Sequence, residues 1–471
     1  MQHAEKKKIS GGIDAGEFVA VFSGNLKTAV KIAVSLINKR FTVVPLNPAL
    51  GGERIGKYLS AVGCSKIVSD GSMPADFSYE CKIFDKTEMS LPGELFQNNS
   101  EIRNIFRNIR SDCKRYANII FTSGSSGMPK AVMHTLGNHY YSSLGSNANI
   151  KFSKKDKWLI VLPIYHISGL SVIFRAALSG GEIAVKEPGM GISEALEANR
   201  PSHVSLVPHQ LRELLNDGKS IDSLRRLKAV LIGGASMPES LAEQAYEYGL
   251  NLFVSYGSTE MCSQITCTRD KDSLKHLKTS GRLLRHREIK VNEKKNILAK
   301  GQTLFAGYLL KNKDGGRLSL EKKLDGEGYF DTGDYGYLDD EGYLHVEGRR
   351  DISFRYKAEK IYPEEIEKVF LKIKGIKEAV VVPYKKNDYE KIPVIFIKTD
   401  NIDKYGMAHI KRKAEKELEP YKFPHYFFKW PDCSEVLKPS REEMQKTAQE
   451  IIEKKIKERF FYIRNDYFKK K

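Results

Sequence analysis

Cysteine is sparse in this 471-residue chain: Cys64, Cys81, Cys113, Cys262, Cys267 and Cys433 are scattered along it, with no CxxC pair and no flanking histidine cluster. That spacing excludes a disulfide-stapled secreted domain and a zinc-ribbon type of site, and it leaves reduced, structural thiols. Long apolar runs are also missing. None approaches the roughly 18 to 20 residues needed to cross a bilayer, and the opening MQHAEKKKISGG has no apolar core of a secretory signal. The expectation is a cytoplasmic protein without a membrane span. Internal repeats and low-complexity linkers are absent too, which excludes a solenoid.

Hydrophobic residues make up 41% and charged residues 29% of the chain, the balance of a globular protein, and 471 residues exceed what one core organises. Two or more domains follow. The net charge of +18 with a pI near 9.3 raises nucleic acid as a partner. The basic residues, however, are spread out, and few basic runs alternate with aromatics, so no nucleic-acid partner is expected. A polyanionic small substrate and a lysine-rich solvated surface both account for the charge.

The first 350 residues alternate short β-branched runs with amphipathic stretches: FTVVPLN from 41, ANIIFTSGS from 117, DKWLIVLPIYH from 156, SHVSLVP from 202 and LKAVLIGG from 227. Each run ends in Gly, Ser, Pro, Asn or His, and the intervals are long enough for crossover helices, so an α/β fold with parallel sheet is predicted. From 281 the rhythm shortens into Gly- and Tyr-rich units that read as hairpins closing the large domain. After Arg350, YPEEIEKVFLKI reads as a helix opened by Pro363, followed by the strands AVVVPY and KIPVIFIKT and a helix around 408 to 418. The expected division is a large domain over 1–350 and a small, mobile α+β domain over 351–471. The basic, helix-prone end of the chain reads as a docking tail.

Chemistry concentrates first in Thr122-Ser123-Gly124-Ser125-Ser126-Gly127-Met128-Pro129-Lys130, where an apolar strand runs into a loop of hydroxyls, glycines and one lysine. Glycines let backbone N–H groups approach phosphate oxygens, hydroxyls donate to them, and the lysine adds charge. The GxxxxGK[ST] spacing of a Walker loop is absent. TSGSSGMPK instead resembles the phosphate loop of the adenylate-forming superfamily, which includes acyl-CoA ligases, luciferases and peptide-synthetase adenylation domains. Further motifs follow in that family's order. Gly233-Gly234-Ala235 resembles the turn against adenine, and Ser255-Tyr256-Gly257-Ser258-Thr259-Glu260 resembles its aromatic-Gly-x-Thr-Glu motif. The resemblance implies that Tyr256 stacks on adenine, Thr259 contacts phosphate and Glu260 holds Mg²⁺. Asp334, in YFDTGD, would bind the ribose hydroxyls. In GRRD, Arg349 would reach ribose or phosphate and Asp351 would be the hinge between domains, near 349–351. Lys438, in VLKPSR, resembles the lysine that the small domain brings to the α-phosphate.

The resemblance spans nearly the whole chain and implies a two-step ligase: ATP adenylates a carboxylic acid, then the acyl group passes to CoA. One departure falls on the second step, because Ala358 stands where the family has a glycine before Ile-Tyr-Pro. Two segments, Leu162 to Leu170 and Thr259 to Ile265, resemble the o-succinylbenzoate-CoA ligases of menaquinone biosynthesis within that superfamily. His166, Ser263, Gln264 and Arg175 are then candidates around an aromatic dicarboxylate, one carboxylate reacting and the other recognised. The alternatives are another aryl- or acyl-CoA ligase, an enzyme that loads a carrier protein, or a non-catalytic ATP-binding homologue. Self-association into a homo-oligomer is left open.

Overall fold

The computed structural model describes residues 6–9, 17–88, 100–122, 129–311, 317–356, 359–385, 391–399, 404–431 and 441–453. Its contacts divide the chain into two compact units. The first comprises Met1–Met237, Leu241–Thr332 and Leu338–His345; the second comprises Pro238–Ser240, Gly333–Tyr337 and Val346–Lys471. The strand Phe330–Leu338 thus begins in the first unit and passes through the second.

Two sheets organise the first unit. A nine-stranded sheet runs Lys6–Ile9, Leu318–Lys323, Gly307–Lys311, Lys130–Thr135, Tyr116–Thr122, Thr42–Pro45, Phe18–Phe22, Lys66–Ser69, Lys82–Asp85. Its half from Tyr116–Thr122 to Lys82–Asp85 is parallel, and the half from Lys130–Thr135 outward is antiparallel. A seven-stranded sheet runs Arg282–Leu283, Ser263–Cys267, Leu252–Ser258, Ala229–Ile232, His203–Leu206, Lys157–Ile160, Glu182–Val185, with its first two neighbour pairs antiparallel and the others parallel. All five apolar runs read from the sequence are strands here, and the α/β class holds.

One core joins the sheets. Val19, Val43 and Ile120 of the first sheet and Trp158, Leu231 and Phe253 of the second pack with residues of the helices Leu26–Asn38, Leu136–Ile150 and Ile167–Ser179. These helices start where the sequence can satisfy their free N–H groups. Asn25 accepts from Thr28 N, and Thr135 and Asn138 form a reciprocal capping box. Gly180 ends the third helix at φ 72°, a conformation costly for a residue with a Cβ.

The Gly- and Tyr-rich region after 281 bears out its expectation only in part. Arg287–Val291 and Asn296–Gly301 do form a hairpin, but Gly307–Lys311 and Leu318–Lys323 extend the nine-stranded sheet through Lys130–Thr135. Local turn residues specify a hairpin; they do not say which sheet edge it will join.

The second unit has its own core, built on the three-stranded sheet Ile376–Lys385, Lys391–Thr399, Tyr426–Lys429 and the helices Pro363–Leu371, Lys404–Glu415 and Arg441–Glu453. A half-buried ion pair ties it together: Arg441 donates to both carboxylate oxygens of Glu367 at 2.5 and 2.8 Å, while Glu367 also accepts from Val381 N at 2.7 Å. No helix among the described residues is long and apolar enough to cross a membrane.

Candidate active site

Thr122 ends one strand and Lys130 opens the next, and the two residues face each other across the antiparallel pair. Ser123, Gly124, Ser125, Ser126 and Gly127 lie outside the described residues, as do Lys438 and Ala358. Lys130 Nζ stands 5.2 Å from the Tyr308 ring centroid, and the Tyr308 hydroxyl donates to Glu260 Oε1 at 2.7 Å. Tyr308 therefore bridges the loop lysine and the turn carboxylate, a role that no motif in the sequence marks. Register alone reveals it, because Tyr308 pairs with Val132 in the adjoining strand.

Gly233 and Gly234 follow the strand Ala229–Ile232 directly, Gly234 at φ 79°, with Ala235 exposed beside them. Ser255 Oγ donates to Ile232 O at 3.1 Å, which locks this turn to the strand that carries Tyr256 and Gly257. The ladder shifts register between Tyr256 and Gly257. A Cβ on Gly257 would sit 1.9 Å from Ser263 O, so only glycine allows the chain to fold back this closely.

That fold-back is a tight turn. Cys262 N donates to Thr259 O at 3.0 Å, and Phe305 N donates to Glu260 O at 2.7 Å. Cys262 and Ser263 both take left-handed backbone conformations, φ 54° and 95°. Non-glycine residues there cost roughly 1 to 2 kcal/mol each, so the surroundings must hold them. Ser142 Oγ donates to Cys262 O at 2.6 Å. Arg287 donates to Gln264 O at 2.6 Å, to Arg285 O at 2.8 Å and to Ser142 O at 3.2 Å.

Beyond the turn, Ser263 and Gln264 face a second guanidinium. Arg175 Nη2 donates to Ser263 Oγ at 3.2 Å and to Gln264 Oε1 at 3.1 Å, and its Cζ lies 5.0 Å from the Trp158 ring. Ser146 Oγ donates to the same Gln264 oxygen at 2.6 Å. Arg175 is 2% exposed and Arg287 4% exposed. Burial pushes their guanidiniums down to about 10 and about 9, with only buried thiols opposing it for Arg175. Arg287 spends its donors on carbonyls. Arg175 Nη1 and Gln264 Nε2 have no hydrogen-bond partner among the described residues. Two open donors beside a buried cation favour an anion, because an uncompensated buried charge is costly and a carboxylate offsets it. His166 is the exposed N-terminal flank of the helix that carries Arg175, and its side chain makes no cap bond.

Asp334, Arg349 and Asp351 come together in the second unit. Arg349 pairs with Asp334 at 3.3 Å and makes a two-pronged contact to Asp351 at 2.8 and 2.9 Å. Asp334 is buried and Arg349 exposed.

Sequence reasoning passed over Asn118, His134, His139, Ser142, Ser146, Tyr308 and Arg287. Some signal existed: His139, Ser142 and Ser146, three and four residues apart, place polar groups on one face of a helix whose apolar pattern is weak.

A family model described as AMP-binding enzyme matches residues 9–312. The 2-succinylbenzoate–CoA ligase of Bacillus pumilus (strain SAFR-032) is 31% identical over 424 residues, which is 88% of this chain and 84% of the relative. A solved o-succinylbenzoate CoA synthetase from Bacillus subtilis, in complex with the acyl-adenylate intermediate OSB-AMP, is 26% identical with a TM-score of 0.71; the match covers 91% of this chain and 86% of that one. The same enzyme in complex with ATP and magnesium ion gives 27%, a TM-score of 0.70, and 88% and 86% coverage.

Proposed function

The chain belongs to the AMP-binding enzyme family, and from that premise we propose that it is an AMP-forming ligase that joins o-succinylbenzoate to CoA. The observation that carries the substrate is the buried Arg175, whose Nη1, like the Nε2 of the neighbouring Gln264, has no hydrogen-bond partner among the described residues. An acid with a second carboxylate brings the charge and acceptors that this pair lacks.

In the first step a carboxylate oxygen of the acid attacks the α-phosphorus of ATP; the new O–P bond forms as the bond to pyrophosphate breaks. In the second, the CoA sulfur attacks the acyl carbon, AMP leaves with the C–O electron pair, and the thiol proton goes to solvent. Positioning and charge stabilisation are the protein's tasks. The loop from Ser123 to Lys130 donates to the phosphates, Thr259 contacts them, Tyr256 covers adenine, and Asp334 and Arg349 take the ribose side. Glu260 presents a carboxylate already oriented by Tyr308, a hard oxygen ligand that fits a Mg²⁺ ion shared with phosphates. Bound there, Mg²⁺ offsets charge on the triphosphate. Lys438 serves the adenylation step. Rotation about Asp351 then exchanges the face that the small domain presents, and the thioester step follows.

The test incubates the protein with ATP, Mg²⁺, CoA and a panel of o-succinylbenzoate, benzoate and medium-chain fatty acids, and detects acyl-AMP and acyl-CoA by mass spectrometry. Both products from o-succinylbenzoate, with acyl-AMP lost in Lys438→Ala, are expected. Products from the other acids alone would refute the substrate; none from any acid would refute the ligase.

A further inference from the structure

The turn that carries Thr259 and Glu260 is flanked by buried histidines that the proposed chemistry does not use. His134 Nε2 lies 2.7 Å from Thr259 O, and its Nδ1 lies 3.1 Å from Asn118 Nδ2. Asn118 Oδ1 lies 2.5 Å from His139 Nε2, and His139 Nδ1 lies 3.3 Å from Cys262 Sγ. Asn118, His134, His139 and Cys262 are all fully buried or nearly so.

With both rings neutral, these contacts permit one proton arrangement. A carbonyl only accepts, so His134 must carry its proton on Nε2 and accept on Nδ1. Asn118 must then turn its amide N–H toward His134 and its oxygen toward His139. His139 therefore also carries its proton on Nε2, and its bare Nδ1 takes the thiol proton of Cys262. Donors and acceptors match at every link, and the chain starts and ends on the same turn, because Cys262 N also donates to Thr259 O. A second proton on His134 would set its Nδ1 against the Asn118 amide N–H. Consistently, burial holds His134 down to about 4 and His139 well below the usual imidazole range. The His139 ring is further fixed by stacking on Phe174 at 3.7 Å between centroids.

We propose that Cys262, His139, Asn118, His134 and Thr259 form a single one-way hydrogen-bond chain that fixes the strained Thr259–Cys262 turn, making Asn118 and His134 positioning residues for Mg²⁺–ATP. Asn118 lies four residues before Thr122 in the strand that leads into the phosphate loop, so one side chain registers both nucleotide-binding segments to each other. The inference rests on the reading of Glu260 and its turn as the Mg²⁺–ATP site.

Pyrophosphate exchange with o-succinylbenzoate, run on the full chain at varied Mg²⁺–ATP, tests it. His134→Asn keeps a polar group toward Asn118 but cannot reach Thr259, and it raises the KM for Mg²⁺–ATP about tenfold with the KM for the acid unchanged. His134→Gln restores an N–H near the Nε2 position and recovers the KM to within about threefold. A merely structural histidine would instead lower thermal stability in both variants and leave both KM values alone, which overturns the proposal. Histidine ¹⁵N spectra of the unliganded wild type decide the chain even where a variant fails to fold: both rings as Nε2–H tautomers support it, and an Nδ1–H tautomer at either overturns it. Glu260→Gln separates the two layers. If it leaves Mg²⁺–ATP binding unchanged, the reading of the turn fails and the positioning role with it, whatever the spectra show of the chain.

Discussion

Thr259–Cys262 and Ser263–Gln264 are neighbours in sequence, and each is backed by a buried polar cluster, but the clusters are built on opposite terms. The first is neutral and closed: two imidazoles, an amide, a thiol and a carbonyl satisfy one another. The second is cationic and open: Arg175 meets Ser263 and Gln264, yet one guanidinium nitrogen and one amide nitrogen have no partner among the described residues. A closed network spends all its directionality on holding a geometry, whereas an open one pays a desolvation cost that an incoming anion relieves. On the proposed reading, one segment would supply a rigid edge for the nucleotide and unsatisfied donors for the acid.

Removing the open cluster's charge is expected to have the largest effect. Arg175→Met should lower kcat/KM for o-succinylbenzoate in pyrophosphate exchange by about 100-fold, the scale of a lost charge-assisted contact. Stability to urea should be unchanged or higher, since an apolar side chain replaces an uncompensated buried cation. Cutting the closed cluster does the reverse. Asn118→Ala should cost about 2 to 4 kcal/mol in unfolding of the first unit, because it orphans a ring nitrogen on each histidine. Urea titration followed by Trp158 fluorescence in a Trp430→Phe background reads this directly, as Trp158 lies in the core of that unit.

Protonation should open the closed cluster without mutation. His134 is held at about 4 in the folded chain against an ordinary 6.5. The unfolded chain therefore binds more protons between those values, and stability falls as pH drops through that window, by at most about 3 kcal/mol for this group. His139, also depressed, acts in the same direction, while the raised Cys262 thiol stays protonated throughout. Unfolding titrations from pH 7 to 4 should show the slope in the wild type and a shallower one in His134→Gln. The smallest effect belongs to Ser146→Ala. It frees one bond to the Gln264 oxygen and should cost about 1 kcal/mol, with a two- to threefold rise, roughly, in the KM for the acid.

Much of this was legible in the sequence, for a physical reason. The strand Tyr116–Thr122 with the loop after it, and separately the Thr-Glu turn, are each an unbroken stretch of chain, so their chemistry is written in local order, and the β-branched runs ended by Gly and Pro mark the sheets. Asn118, His134 and Tyr308 could not be read that way. Each is an ordinary residue in an ordinary strand until antiparallel register places Asn118 beside His134 and Tyr308 beside Val132. The destination of Gly307–Lys311 was hidden similarly, since nothing in a hairpin names the edge it will extend. Arg175 stood between: a lone cation in the apolar helix ISGLSVIFRAALS is conspicuous, but only the fold shows which of its nitrogens remain free.

The central claim is that the open cluster selects a second carboxylate. Its most direct test measures pyrophosphate exchange with o-succinylbenzoate and with the two monoacids that each lack one of its carboxylates, 4-oxo-4-phenylbutanoate and 2-butanoylbenzoate, in the wild type and in Arg175→Met. The account predicts that the diacid exceeds the better monoacid by about 100-fold in the wild type and that Arg175→Met brings the two to within a few-fold. A monoacid as good as the diacid in the wild type, or a preference that survives the loss of Arg175, would contradict it.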